Sequence, residues 1–295
     1  MKIAIASGKG GAGKTSLSTN LCALLAGSTD VVLADLDVEE PDSAIFFNTG
    51  FQEEPVYRMV PEWDPVRCTS CGKCQEVCNF NAVIKLLDEI MVFPELCHSC
   101  HACSMLCPES ALPMLPRRIG LLRKGILERL TLLEGRLDIG EEQAVPLIAR
   151  ANKVLNGKNF RDKIIVIDSP PGTSCPVIEV TRNADLVLLV AESNPFGLND
   201  LKIMVDTMRI LDRDMVVVVN RAEGHETLIE DYCTSEGIPM IAKIPHSRKA
   251  AEYYASGRLL IRDLVDIRTE FIKIRDYIFS IKSTREIERD RDHIG

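Results

Sequence analysis

A glycine-rich loop near the start of this 295-residue chain, Gly8-Lys9-Gly10-Gly11-Ala12-Gly13-Lys14-Thr15, constrains the fold more than any other feature. It reads G-x4-G-K-T. It follows the apolar run Lys2–Ala6 and precedes a helix-compatible stretch from about Gly13 to Ala26, the strand, loop and helix setting in which such a loop cradles phosphates. Loop N–H groups there point at phosphate oxygens, the lysine neutralises the β and γ oxygens, and the threonine hydroxyl ligates magnesium. Gly8, Lys9, Gly10, Gly11, Ala12, Gly13, Lys14, Thr15 and Ser16 are therefore the candidate phosphate-binding residues, with Thr15 a magnesium ligand. Further short β-branched runs follow at Val31–Ala34, Ile164–Ile167, Leu186–Val190 and Val216–Val219. Runs of that length, covered on both faces, suit a parallel sheet. Helix-length segments near Leu198–Leu211 and Thr227–Glu236 complete a βα alternation. The fold class expected is α/β, with a doubly wound, mainly parallel sheet.

That pattern is interrupted over residues 61–116, where prolines and eight of the chain's eleven cysteines gather. Cys68-x2-Cys71-x2-Cys74-x3-Cys78 recurs 29 residues later as Cys97-x2-Cys100-x2-Cys103-x3-Cys107. The reading is an ATPase-type domain over 1–60 and 117–295 carrying a small inserted domain over 61–116. Three thiolates two residues apart wrap three corners of a cubane, and the fourth corner is met from elsewhere. This is the spacing of bacterial two-cluster ferredoxins, in which the last cysteine of each run crosses to the other cluster. One [4Fe-4S] cluster then takes Cys68, Cys71, Cys74 and Cys107, and the other Cys78, Cys97, Cys100 and Cys103. Zinc is the competing occupant, since two tetrahedral zinc ions also need eight thiolates. Zinc sites, however, separate their C-x2-C pairs by about a dozen residues or more, and the tight third cysteine fits a tetrahedron poorly. His98 and His101 read as polar neighbours, because the cysteine set is already complete.

Lys9 gives the loop the form K-G-G-x-G-K-T, which resembles the deviant Walker A ATPases of the MinD, ParA, Mrp and nitrogenase iron-protein type. Asp35 and Asp37 close the second strand as that family's switch I does, and Ile167-Asp168-Ser169-Pro170-Pro171-Gly172-Thr173 looks like its switch II. The resemblance implies ATP as substrate, an ATP-bridged homodimer, and Lys9 reaching the partner's nucleotide. With triphosphate chemistry resting on positioning and charge, Asp168 is expected in the magnesium shell, with Asp35 supporting it and Asp37 on the attacking water. Lys9, Lys14, Asp37 and Asp168 form the catalytic set. The Gly172 N–H is expected to approach the γ-phosphate, while Asn220 and Pro245 resemble the family's base-binding positions. P-loop and cysteine insert together resemble MinD-superfamily ATPases with an inserted ferredoxin domain, which occur chiefly in anaerobic bacteria and archaea. Cys175, seven residues past Asp168, sits where the nitrogenase iron protein has a cluster ligand. No second unused cysteine is an evident partner for it. No role follows for the segment Arg136–Gly140.

Composition narrows the function classes. A net charge of -8 argues against sequence-independent nucleic-acid binding. No apolar run reaches the roughly eighteen residues of a membrane span, and Lys2–Ala6 meets glycines too soon for a signal peptide. The expectation is a cytoplasmic chain. Leu264, Ile267, Phe271, Ile274, Ile278 and Ile281 form one apolar helical stripe, and the mixed-sign run 285–292 after it favours packing on protein over a membrane surface. The functions in view are an ATPase, slow and regulated by partner or redox state, that gates electron transfer through the clusters; a positioning or regulatory switch with redox-sensing clusters; and an iron–sulfur scaffold. The scaffold type carries a C-terminal C-x-x-C, whereas Cys233 stands alone here. Between Arg67 and Pro116 three basic residues face five acidic ones, so a basic redox or regulatory protein is the partner expected.

Overall fold

The computed structural model describes residues 1–224 and 226–292, with 285–292 as backbone alone. In chain order the elements are β1 (Lys2–Ala6), α1 (Lys14–Ala26), β2 (Val31–Asp35), β3 (Phe51–Pro61), α2 (Lys73–Glu76), β4 (Val83–Leu86), β5 (Glu89–Val92) and α3 (Ala102–Met105). There follow β6 (Met114–Leu127), β7 (Leu130–Leu137), α4 (Ala144–Leu155), β8 (Ile164–Asp168), α5 (Cys175–Thr181), β9 (Leu186–Glu192) and α6 (Pro195–Ile210). The chain continues through β10 (Met215–Ala222), α7 (Thr227–Glu236), β11 (Met240–Pro245), α8 (Arg248–Ala255) and α9 (Val265–Asp292).

One nine-stranded sheet runs β11-β10-β9-β1-β8-β2-β7-β6-β3. Every neighbouring pair from β11 to β7 is parallel, and β6 and β3 extend the sheet antiparallel. This is the mainly parallel α/β sheet expected. Its strands alternate between two cores: Ile3 and Ile5 face one way with Leu17 and Leu21 of α1, while Ala4 and Ala6 face the other with residues of α4 to α7. Such short runs become strands because helices dry both faces, so nearly every side chain is buried.

The C-terminal stripe lands in that core. Ile267, Phe271, Ile274 and Ile278 of α9 are buried with α1 and β11, and Leu264 and Ile281 pack at the margin. Burying each such side chain stabilises by about 1.5–3 kcal/mol, so the stripe serves the domain itself. The side chains of the run 285–292 lie outside the described residues. Among the described residues no helix is long and apolar enough to cross a membrane. Helix α6 begins at Pro195, earlier than its apolar period suggests, because the Asn194 side chain accepts the Gly197 N–H at 2.8 Å and Pro195 suits a first turn.

The strands β3, β6 and β7 carry no clean alternation in sequence, because β3 and β6 form an edge ribbon wetted along much of its length. The ribbon pairs as far as Pro61↔Met114, so the segment between its strands is 62–113. The cysteine repeat is written into that segment's backbone. Left-handed φ values at Ser70, Gly72 and Asn81 recur at Ser99, His101 and Ser110, each 29 residues on, and the one-turn helices α2 and α3 keep the same offset.

Candidate functional site

A cleft of about 450 Å³ opens at the carboxyl ends of the parallel strands, lined by Lys14, Thr15, Ser16, Asp37, Asp42, Asn220, Pro245 and Tyr254, among others. Ligands of open α/β sheets bind at that edge. Gly13 precedes α1 with φ +98, and a Cβ there would lie 2.1 Å from Asn220 Nδ2. That amide donates to the Ala12 carbonyl at 2.8 Å. Asn220 therefore braces the phosphate loop as well as lining the cleft.

The sheet register sets the carboxylates side by side. Asp35 ends β2 directly opposite Asp168 at the end of β8, and both are fully buried. Ser18 Oγ donates to Asp168 Oδ2 at 3.1 Å, whereas Asp168 Oδ1 is buried without a partner. Asp35 accepts the Ser43 N–H at 2.9 Å and the Asp37 N–H at 3.3 Å. Folding the intervening loop this way brings in Asp42, so Asp35, Asp42 and Asp168 offer oxygens all within 4.8 Å of one another. The motif reading missed Asp42; its only sequence signal was one acid among five between Asp35 and Asp42. Three clustered carboxylates and an orphaned oxygen suit a hard divalent cation.

Burial raises the carboxyls. It lifts Asp168 to about 7 against hydrogen bonds from Thr15 and Ser18 and the pull of Lys14. It lifts Asp35 well above the usual range, with the Asp168 charge adding to it. Asp37, half-buried, rises to about 6 through burial, offset by Lys14 and reinforced by Glu39, Asp42 and Glu40. Tyr254 donates its hydroxyl to Asp42 Oδ2 at 2.7 Å and closes the cleft from α8.

Four expected nucleotide-binding residues lie off the cleft lining. Lys9 leaves the cleft and pairs with Glu192. The Gly172 N–H donates to the Ser7 carbonyl at 3.0 Å and so is turned away from the phosphates; Pro171 lines the cleft in its place. Gly8 and Ala12 support the loop from behind, Gly8 so close to Asp200 that a Cβ would come within 2.7 Å.

At the ribbon's tip, two small cavities gather the cysteines. Cys68, Cys71, Cys74 and Cys107 line one, and Cys78, Cys97, Cys100 and Cys103 line the other. In each, backbone amides donate to sulfur: Ser70 N–H to Cys68 and Ser99 N–H to Cys97 at 3.4 Å, Ala82 N–H to Cys78 and Ala111 N–H to Cys107 at 3.2 Å. None of these cysteines is in a disulfide. Burial, with Cys97, Cys100 and Cys78 adding charge, pushes the Cys103 thiol up to about 11. His98 stacks on Phe80 with ring centroids 3.8 Å apart. Cys175 is exposed at the start of α5, while Cys22 and Cys233 are buried away from both cavities.

A model of the CobQ/CobB/MinD/ParA nucleotide binding domain matches residues 3–261. An uncharacterized protein of Methanocaldococcus jannaschii is 30% identical over 247 residues, 83% of this chain and 86% of that protein. A second from the same archaeon is 28% identical over 283 residues, 94% and 97% of the two chains. Among solved structures, the cell division ATPase MinD of Pyrococcus furiosus superposes with TM-score 0.59 at 17% identity, covering 95% of this chain and 98% of its own. MinD of Aquifex aeolicus does so with TM-score 0.56 at 17% identity, over 95% and 97%. At those identities the likeness is one of fold.

Proposed function

The chain belongs to the CobQ/CobB/MinD/ParA nucleotide-binding family, and from that premise we propose that it binds and hydrolyses ATP with magnesium, carries two [4Fe-4S] clusters, and couples nucleotide-driven dimerisation to electron transfer. The carrying observation is the sorting of eight cysteines into two four-cysteine cavities, each mixing both repeats, on a ribbon that is the edge of the nucleotide-binding sheet. Amide N–H groups aimed at sulfur favour thiolates bound to a cationic centre.

Cys68, Cys71, Cys74 and Cys107 would hold one cluster and Cys78, Cys97, Cys100 and Cys103 the other, and a cluster bound at each site would supply one-electron chemistry. In the cleft, the loop amides and Lys14 bind the triphosphate. Thr15, Asp168 and Asp35 surround the cation, joined by Asp42. Asp37 stands at the cleft wall with a carboxyl poised to hold the attacking water and take up its proton. Pro245 and Asn220 flank the base. Lys9 crosses to the second nucleotide once a dimer forms. A basic redox protein is the partner class, and the compartment is the cytoplasm of an anaerobic organism, in keeping with archaeal relatives.

The test is anaerobic ATP turnover with the clusters oxidised and then dithionite-reduced, alongside iron and sulfide analysis. About eight iron and eight sulfide per chain are expected, with turnover that differs between redox states. Zinc without sulfide rejects the clusters. A full iron complement with turnover indifferent to redox state rejects the coupling and leaves a MinD-like positioning ATPase.

A further inference from the structure

Arg58 is a buried side chain that reaches from the nucleotide-binding sheet into a cysteine loop. It sits on β3 with its side chain 1% exposed. Its Nη1 donates to the Cys97 carbonyl at 2.6 Å and its Nη2 to the Pro94 carbonyl at 2.8 Å. Nη2 also meets Glu141 Oε1 at 3.1 Å, and the Glu141 side chain is itself 6% exposed. Both terminal nitrogens of the buried guanidinium are thus met, as burying such a charge demands, while Nε stays buried without a partner, and Glu141 Oε2 also lies 3.9 Å from Arg117 Nε.

The two cysteine cavities are otherwise near copies, and this pair breaks their symmetry. Among the described residues no side chain donates to the carbonyl of Cys68, which stands 29 residues before Cys97. Cys97 is buried where Cys68 is half-buried, although the other three pairs of equivalent cysteines match in burial.

Glu141 in turn directly follows the segment Arg136–Gly140, for which the sequence offered no role. The Glu141 N–H donates to the Asp138 carbonyl at 3.0 Å, and the Leu137 N–H donates to the Val38 carbonyl at 2.9 Å. Val38 is the neighbour of Asp37 and packs so closely on β7 that a Cβ at Gly135 would fall 2.8 Å from its Cγ1. The Asp37 loop lines the nucleotide cleft. A short run of hydrogen bonds therefore joins the cleft wall to Glu141, then through Arg58 to Cys97. Contiguity of this kind transmits a change only if the joint has two arrangements, and an ion pair that opens when the Asp37 loop shifts would provide the second.

We propose that the Arg58–Glu141 pair is a positioning joint between the Asp37 loop and the second cysteine set, so that the potential of the cluster held by Cys78, Cys97, Cys100 and Cys103, and not of its twin, follows the state of the nucleotide site. This rests on the cluster reading above. Its physics is local charge. An added electron is favoured by a nearby cation and opposed by a nearby anion, so any change in how Glu141 neutralises Arg58 registers at the adjacent cluster. Among the described residues the other cavity has no buried ion pair beside it, only the exposed Lys73 and Glu109 on its lining.

The experiment is an anaerobic redox titration of the full chain, followed by electron paramagnetic resonance, with magnesium-ADP and with a magnesium-bound non-hydrolysable ATP analogue. In the wild type one couple should differ between nucleotides by about tenfold in the ratio of reduced to oxidised cluster at fixed potential, or about 59 mV for one electron, while the other stays put. Arg58→Met should lower the affected couple and Glu141→Gln should raise it, opposite signs that a merely structural role does not produce. Both should abolish the nucleotide dependence. If Arg58→Met fails to fold, Arg58→Met with Glu141→Gln leaves no unpaired charge and should show a nucleotide-insensitive couple. Two clusters with potentials indifferent to nucleotide, or a nucleotide shift that survives in Glu141→Gln and the double variant, overturn the joint alone. Wild-type protein with zinc in place of iron overturns the cluster reading and the joint with it.

Discussion

Lys9 Nζ lies 2.7 Å from Glu192 Oε2, so the early lysine of the phosphate loop is held by its own chain at the end of β9. The opposite oxygen of Glu192 takes Arg221 Nη1 at 2.6 Å, and Arg221 Nη2 reaches back to the Gly11 carbonyl at 3.1 Å. Burial alone would raise Glu192, but hydrogen bonds from Lys9 and Asn194 and the charges of Lys9 and Arg221 hold it below its ordinary value.

For Lys9 to serve a partner's nucleotide it must first leave Glu192. Glu192→Gln weakens the hold by about 1 kcal/mol, the scale of a partly exposed ion pair. Because a symmetric dimer frees two such lysines, ATP-dependent dimerisation, followed by sedimentation, should then occur at roughly thirtyfold lower protein concentration. Lys9→Ala should cut ATP turnover by about two orders of magnitude or more, with nucleotide affinity within about threefold of wild type. An unchanged turnover rate in Lys9→Ala would show that this lysine only decorates the loop.

Asp37 on the cleft wall and the buried pair Asp35 and Asp168 behind it titrate in the opposite sense to Glu192. Asp37 and Asp168 are raised from 3.8 to about 6 and about 7, and Asp35 is raised too. Each binds a proton more readily folded than unfolded. Their contribution to stability is full below about pH 4 and is lost as pH rises through about 6 to 7. The ligand-free melting temperature should therefore fall between about pH 5 and about pH 8, and magnesium with ADP should flatten the fall by favouring the ionised forms. Asp168→Asn should remove much of it. A fall that persists unchanged in Asp168→Asn would place its origin outside the cleft.

Local chemistry was the part of this molecule that sequence exposed. The phosphate loop and both cysteine runs are read within a dozen or so residues, because backbone geometry over that span fixes where their atoms go. The parallel strands were legible from burial on both faces. Asp42 was not, since it joins Asp35 and Asp168 only after the Ser43 N–H folds the loop back on Asp35. Arg58 and Glu141 lie 83 residues apart, and nothing in an edge strand distinguishes an arginine that turns inward. Gly172 and Lys9 show the converse case: motif position named them, yet hydrogen bonding to Ser7 and pairing with Glu192 decide where their polar groups point.

Gly13 should tolerate no side chain. Its φ of +98 strains any L-residue, and a Cβ would meet Asn220 Nδ2 at 2.1 Å. Gly13→Ala should abolish measurable ATP binding by calorimetry, as should Lys14→Ala, whose charge faces the phosphates. The two differ in stability. Gly13→Ala should lower the melting temperature of ligand-free protein, through strain of about 1–2 kcal/mol, and Lys14→Ala should not. A Gly13→Ala protein that binds ATP normally would mean that the Asn220 brace is dispensable.

The crossing of the cysteine runs gives the sharpest test of the inserted segment. Cys107 closes the second repeat in sequence yet lines the cavity of Cys68, Cys71 and Cys74, while Cys78 closes the first repeat and lines the cavity of Cys97, Cys100 and Cys103. Cys107→Ser together with Cys71→Ser should thus damage one site only, leaving about four iron per chain. Cys107→Ser together with Cys100→Ser should damage both and leave close to none. Each double variant removes two cysteines from the same inserted segment, Cys107 being common to both, so a general loss of folding would strike them alike, and ATP binding by the sheet domain provides the control. If runs did not cross, the results would be reversed: Cys107 with Cys100 would spare about four iron, and Cys107 with Cys71 would spare almost none. That reversal would overturn the cavity assignment, and with it the symmetry argument that singles out Arg58 beside Cys97.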